Sequence, residues 1–161
     1  MDRYAFIAEF GKKLMVLENI DDSVELIAAQ ARKLVGAERC SIFIADKEDG
    51  ILWTKVSDGI GRIVVSIDSG IVGDTYKSQK PQIVNAPYED PRFLPVIDKK
   101  SGYVTKNMVT VPIFDSKREV IGVIQLLNKT RGEFDKSDLD ILAFFANYVS
   151  GSLELVLLRE S

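Results

Sequence analysis

Glu119-Val-Ile-Gly-Val-Ile-Gln-Leu-Leu-Asn128-Lys129-Thr-Arg-Gly-Glu-Phe134-Asp-Lys-Ser-Asp138-Leu139 decides how this chain is read. An apolar, β-branched run ends at Asn128-Lys129. A short polar turn with one glycine follows, and a long helical pattern begins at Asp135. The hydrophobic period thus changes from strand-like to helix-like within a few residues. Opposite charges, Lys129 and Asp138, flank the junction. On spacing alone they form a helix cap with an exposed ion pair, worth about 0–1 kcal/mol. A junction of this kind ties a sheet to an outgoing helix, as a signal-transmitting domain requires.

Working outward, hairpins precede that junction. Val104 to Phe114 and Glu119 to Leu127 read as strands joined by Asp115-Ser-Lys-Arg118. Arg39 to Ala45 and Ile51 to Val56 read as another hairpin, with further strands at Ile63 to Ile67 and at Ile83-Val84. Helices are expected over residues 4 to 18, from a capping box at Asp22-Ser-Val-Glu25 to Val35, and from Ser69-Gly70 to a stop at Pro81. Pro87 to Gly102 is irregular, with room for one short helix. The last helix runs from Lys136 to about Arg159. Hairpins with helices packed on them give an α+β fold around a largely antiparallel sheet.

Ile7, Phe10, Leu14 and Leu17 repeat at heptad-like spacing, as do Leu139, Leu142, Ala146, Val149, Leu153 and Val156. Both seams predict helix pairing in a parallel homodimer. Ile141, Phe144, Phe145 and Tyr148 fall largely off the second seam, so that helix is apolar on two faces.

At 161 residues the chain is expected to be one domain with a sizeable core. The net charge is −3 with mixed signs, and no dense basic stripe suits nucleic acid. Cys40 is the only cysteine, so no internal disulfide forms. Histidine is absent, which removes histidine-ligated zinc or haem and Ser-His or Cys-His catalysis. No leader-like stretch follows Asp2-Arg3, and Glu154 interrupts the late apolar run, so a cytoplasmic protein with no membrane partner is expected.

Three sets of residues carry chemistry. Ser69-Gly-Ile-Val-Gly73 opens a helix whose free amides can bind one phosphate, although an ordinary capped helix has the same spacing. Asp90, Asp98, Ser101 and Thr105 form an acidic and hydroxyl set in the long loop, without the spacing of a calcium site. Trp53 and Tyr103 offer stacking faces, and strand packing explains them equally well. No nucleophile–base pair or metal cluster emerges. From these residues alone the chain is a sensory or regulatory domain without catalysis.

Asn128-Lys129, Phe134 and Asp138 together resemble the Asn-Lys-Phe-Asp-Glu signature of regulatory GAF domains, with Leu139 in place of the final Glu. Cys40-Ser-Ile-Phe-Ile-Ala-Asp46, Ile83-Val-Asn-Ala-Pro87, Asp90-Pro-Arg-Phe93, Asn107 to Pro112 and Val120-Ile-Gly-Val123 also resemble GAF segments, in the right order. The resemblance implies a six-stranded sheet with long N- and C-terminal helices. It divides the chain into a signalling and dimer helix at 1–20, a core at 21–134, and a helix at 135–161 leading to an output domain. That output could be a nucleotide or diguanylate cyclase, a phosphodiesterase or a kinase.

The resemblance is to cyclic-nucleotide-binding members in phosphodiesterases and microbial adenylyl cyclases. It implies a non-catalytic regulatory domain with no metal and no cofactor. Ser41 would lie on the sheet floor near the base and Asp58 would edge it. Ile71 and Val72 would give amides to the cyclic phosphate. Asp98, Ser101 and Thr105 would form a lid, and Gln125 would meet the base edge. Ser57 stands where an aromatic often precedes the Asp58 position. A carboxamide donates and accepts together, which favours cAMP over cGMP. The alternative is a GAF interaction or dimerisation module with another ligand or none. Tetrapyrrole, haem and methionine-sulfoxide reductase variants of the fold are disfavoured, because Cys40 lies on the first strand and no histidine exists.

Overall fold

The two alternating strands nearest the signature build the centre of the sheet, and everything else is laid on its two faces. The computed structural model describes residues 2–14, 19–54 and 63–160. Helix α1 spans Arg3–Leu14. Leu17, assigned to its seam, lies outside the described residues. Helix α2 spans Ile20–Val35 and starts earlier than the expected capping box. Its N-cap is Asn19, whose extended backbone lets the side chain accept from the Asp22 amide at 2.9 Å. Asn19 Nδ2 in turn donates to Asp22 Oδ2 at 2.9 Å, so the reciprocal pair is Asn19 with Asp22 and not Asp22 with Glu25. Gly36 ends the helix at φ 84°, a left-handed conformation that costs glycine little.

The strands are β1 (Ala37–Asp46), β2 (Ile51–Thr54), β3 (Ile63–Ser66), β4 (Gln82–Val84), β5 (Met108–Phe114) and β6 (Val120–Lys129). Helix α3 (Gly70–Ser78) lies between β3 and β4, and α4 (Val96–Ser101) lies between β4 and β5. A single 3-10 turn, Pro87–Glu89, precedes α4. Sheet order is β3-β2-β1-β6-β5-β4, and every described pair is antiparallel. The fold is therefore α+β with a six-stranded antiparallel sheet, as the pattern predicts. β5 starts at Met108, four residues later than expected, because Val104, Lys106 and Asn107 bond to Asn128 and Lys129 at the end of β6 instead of continuing the ladder.

Alternation sorts β1 and its neighbours onto two faces. Cys40, Ile42 and Ile44 join Val109, Val111, Ile113, Ile124 and Leu126 in one core, covered by α1, α2 and α5 (Lys136–Glu160). Phe43 and Val123 face the other way, where they cluster with Leu52 of neighbouring β2 and with Val72 of α3. The sheet is thus a partition between a helical core and a second, less filled side.

The two heptad-like seams are used inside the chain, which corrects their reading as pairing surfaces. Leu142, Ala146, Val149, Leu153 and Val156 are at most 3% exposed, and Ile7, Phe10 and Leu14 at most 4%. In helices of this length a stripe facing a sheet is hard to distinguish from a heptad, since periods of 3.6 and 3.5 residues per turn drift apart by only about 20° per heptad. The surface of α5 instead exposes Phe144, Tyr148, Leu155 and Leu158. Tyr4 of α1 meets Phe144 edge-on with ring centres 5.2 Å apart. By length and composition α5 is apolar enough to cross a membrane, contrary to expectation. Its hydropathy comes from both apolar faces, one of which is packed in the core.

Candidate functional site

The less filled side of the sheet holds a cavity of about 700 Å³ including its mouth, within the usual span of small-molecule sites. Its floor is Arg39, Ser41 and Phe43 of β1 with Gln125 and Leu127 of β6. Ser41 and Gln125 are direct cross-strand partners, and Thr110 of β5 flanks Gln125 on its other side. Among the described residues the Gln125 carboxamide has no hydrogen-bond partner, although it is partly buried. A polar group left open in a largely apolar wall is available to a ligand.

The first turn of α3 forms one wall, with Ile71 and Val72 lining the space. Its N-cap Ser69 makes no side-chain cap bond. Gly70 follows at φ 75°, and a Cβ there would meet the Leu94 side chain at 3.0 Å. The opening amides of α3 are thus uncapped beside the cavity, with the positive end of the helix dipole behind them. Farther along α3, Thr75 Oγ1 donates to the Ile71 carbonyl at 2.9 Å and shares a 2.6 Å bond with Thr110, which fixes the helix on the sheet.

Residues of the long loop close the other wall, but they mainly hold one another. The Asp98 carboxylate accepts from Tyr88 Oη at 2.5 Å, from the Thr105 amide at 2.8 Å and from Thr105 Oγ1 at 2.9 Å. This negative partner raises the Tyr88 phenol above its ordinary range. Asp98 and Thr105 therefore reach the cavity as a mutually bonded pair, each 7% exposed or less. Ser101 lies instead in an adjoining cleft with Val64, Val96 and Lys100. Its hydroxyl donates to the Ile97 carbonyl at 3.0 Å and accepts from the Tyr103 amide at 3.3 Å, finishing α4. Asp58 lies outside the described residues. Arg92 pins the loop to α3 and β4. It grips Asp90 with two bonds, at 3.0 and 2.7 Å, and also reaches Asp74 at 2.7 Å and Gln82 at 2.6 Å. The guanidinium holds the Asp90 carboxyl below the usual carboxylate range.

The signature residues join this site to the helical layer. Asn128 has φ 60° and sits 4% exposed. Its Oδ1 accepts from the Lys106 amide at 2.6 Å, and its Nδ2 donates to the Val104 carbonyl at 2.9 Å and to Glu38 Oε1 at 3.3 Å. Tyr103 Oη donates to the same Glu38 oxygen at 2.8 Å. These bonds, Tyr103 first and Asn128 second, hold the Glu38 carboxyl below its usual range. Burial, followed by Glu38, pushes the Tyr103 phenol upward. Lys129 Nζ donates to Asp138 Oδ1 at 2.8 Å and to the Val35 carbonyl at 2.6 Å. Phe134 is 2% exposed, and its carbonyl accepts from Asn85 Nδ2 at 3.3 Å.

Arg39 is the site residue that the sequence reading passed over. The available signal was a charged residue two positions before Ser41 in a strand, hence on the same face. Among the described residues no three His, Cys, Asp or Glu side chains cluster as a metal site would require.

Comparison with known proteins agrees with this architecture. The family model described as GAF domain matches residues 19–153. The chain is 32% identical over 132 residues to the probable 3',5'-cyclic phosphodiesterase pde-5 of Caenorhabditis elegans, covering 73% of this chain and 18% of that protein. It is 34% identical over 129 residues to the dual 3',5'-cyclic-AMP and -GMP phosphodiesterase 11A of Takifugu rubripes, covering 70% of this chain and 14% of that protein. The chain therefore spans less than a fifth of either relative. The GAF domain of a phosphoenolpyruvate-protein phosphotransferase from Coxiella burnetii superposes with a TM-score of 0.86 at 13% identity, covering 99% of this chain and 97% of that one. That likeness concerns the fold alone. Sheet order, cavity, signature junction and family match converge, and the chain belongs to the GAF domain family.

Proposed function

We propose that this domain is a non-catalytic sensor that binds a cyclic mononucleotide, cAMP in preference to cGMP, and regulates an attached output domain. The observation that carries the reading is the pairing of two open polar groups in one cavity. The uncapped first turn of α3 suits a cyclic phosphate, and the Gln125 carboxamide on the floor, without a hydrogen-bond partner among the described residues, suits the edge of a base. Relatives named as cyclic-nucleotide phosphodiesterases, each far longer than this chain, support both the ligand class and an attached output. Ile71 and Val72 hold the phosphate, Ser41 and Gln125 face the base, and Asp98 and Thr105 stiffen the lid. Asp58 edges the base. Ser101 supports the lid from the adjoining cleft. No cofactor or metal takes part, and the domain works in the cytoplasm.

Calorimetry and thermal shift with cAMP and cGMP test the reading. Binding of cAMP is expected, with Gln125→Glu shifting selectivity toward cGMP by about tenfold, because a carboxylate accepts from both guanine donors. Neither heat nor thermal shift with either nucleotide at millimolar concentration would defeat the proposal.

The output is controlled through a homodimer of the N- and C-terminal helices. With the inner seams buried, the contact uses the outer residues Phe144, Tyr148, Leu155 and Leu158. Sedimentation of the domain is expected to give a dimer that Leu155→Lys dissociates. A monomer at every concentration tested would remove this part. Ligand shifts such an equilibrium only by its differential affinity for the two states.

A further inference from the structure

Arg39 stands out among the groups that the proposed function leaves unused. Its side chain lines the cavity, and its Nη1 is fully buried. Among the described residues that nitrogen has no hydrogen-bond partner. Buried side-chain donors are nearly always satisfied, so an orphan needs a reason. The guanidinium lies over the Tyr103 ring at 3.7 Å, which accommodates its charge but accepts nothing from an in-plane N–H. Among the described residues, neighbouring Glu38 and Asp98, which lines the same cavity, are both engaged elsewhere. Glu38 accepts from Tyr103 and Asn128, and Asp98 accepts from Tyr88 and Thr105.

The register fixes what Arg39 can reach. It pairs across the ladder with Leu127, one step along the same face from the Ser41–Gln125 pair. Tyr103 holds the guanidinium plane from the lid side, so the donor is oriented before anything arrives.

We propose that Arg39 is a ligand-reading residue, its Nη1 donating to an acceptor atom on the bound molecule at the Leu127 end of the floor. The inference rests on the cyclic-nucleotide reading and adds a residue to it. The acceptor is either a phosphate oxygen or a ring nitrogen or oxo group of the base; both present a lone pair to a fixed cationic donor. Because Tyr103 is bonded to Glu38, and Glu38 to Asn128, occupancy at Arg39 also bears on the signature junction.

Arg39→Met keeps the stem of the side chain and removes the donor. Arg39→Lys keeps the charge and removes the planar fork. Both are titrated with cAMP, cGMP, adenosine and guanosine, and melted without ligand. Arg39→Met is expected to weaken cyclic-nucleotide binding by roughly 10- to 100-fold, with Arg39→Lys intermediate. The ligand-free melting midpoint of Arg39→Met is expected to stay level or rise, since an unsatisfied buried donor has gone. If the acceptor is phosphate, the loss disappears with the nucleosides; if it is on the base, the loss persists with them. Wild-type affinity in both variants overturns the inference while sparing the sensor reading. A lower midpoint with unchanged affinity also overturns it, by making Arg39 a packing residue. A wild-type domain that binds no cyclic nucleotide ends both proposals.

Discussion

Lys129→Met is expected to lower the stability of the domain by about 3–5 kcal/mol, the cost of stranding one partner of a buried ion pair. The Lys129 and Asp138 side chains are only 17% and 4% exposed, so solvent cannot replace the lost cation. Lys129 Nζ also serves the Val35 carbonyl at 2.6 Å, one of the open carbonyls at the end of α2. The substitution thus leaves a carboxylate and a helix terminus unsatisfied at once. The other Asp138 oxygen accepts from the Asp135 amide at 3.1 Å, and Asp135 answers the Asp138 amide at 2.9 Å, which caps α5. One lysine therefore joins the end of β6, the end of α2 and the start of α5.

Methionine is the informative replacement because it preserves the stem volume. Thermal unfolding should show a midpoint lower by on the order of 10 °C for a domain of this size. Pairing Lys129→Met with Asp138→Leu should recover part of the loss, since an apolar pair no longer buries an uncompensated charge. A loss below about 1 kcal/mol for Lys129→Met would place the pair with ordinary exposed ion pairs and refute the argument.

This junction shows what the sequence can and cannot disclose. The charge pair, its spacing and its place between strand and helix are all legible between Glu119 and Leu139. Its burial is not, because burial depends on α2 arriving from 94 residues away, with the Val35 carbonyl accepting from Lys129. The strands were legible for the same local reason: alternation in β1 and β6 fixes which side chains share a face. The family resemblance, not alternation, is what assigns Ser41 and Gln125 to one pocket, and the register places them opposite each other.

Side-chain partners inside the lid were not legible. Asp98 and Thr105 looked like free polar groups for a ligand, yet seven residues apart they satisfy each other across the end of α4. Ser101 is drawn off to finish α4, where its hydroxyl donates to the Ile97 carbonyl. Arg39 was overlooked because strand propensity says nothing about which donors remain open after folding. The heptad reading failed at a physical degeneracy, since the stripe that packs on a sheet and the stripe that packs on a partner helix have nearly the same period.

Asn128→Ala is expected to lower stability by about 2–4 kcal/mol, through two separable effects. The first is conformational. At φ 60° an asparagine or glycine is tolerated, whereas alanine is strained by about 1–2 kcal/mol. The second is loss of the side-chain bridge. Oδ1 holds the Lys106 amide, and Nδ2 holds the Val104 carbonyl and Glu38. Those bonds fix residues 103 to 107, which carry Tyr103 over Arg39 and Thr105 against Asp98. Asn128→Gly relieves the strain and keeps only the second loss, so it should be the more stable variant by about 1 kcal/mol. Both variants should exchange the amides of residues 104 to 107 faster than wild type, and both should bind nucleotide more weakly than the change in global stability alone explains. If Asn128→Gly matches wild type in exchange and affinity, the side chain does not couple the cavity to the junction, and the link from Arg39 through Tyr103 and Glu38 to Lys129 and α5 is broken at Asn128. If the two variants are equally unstable, backbone conformation is not the constraint. Asparagine is then required at this position for its hydrogen bonds alone.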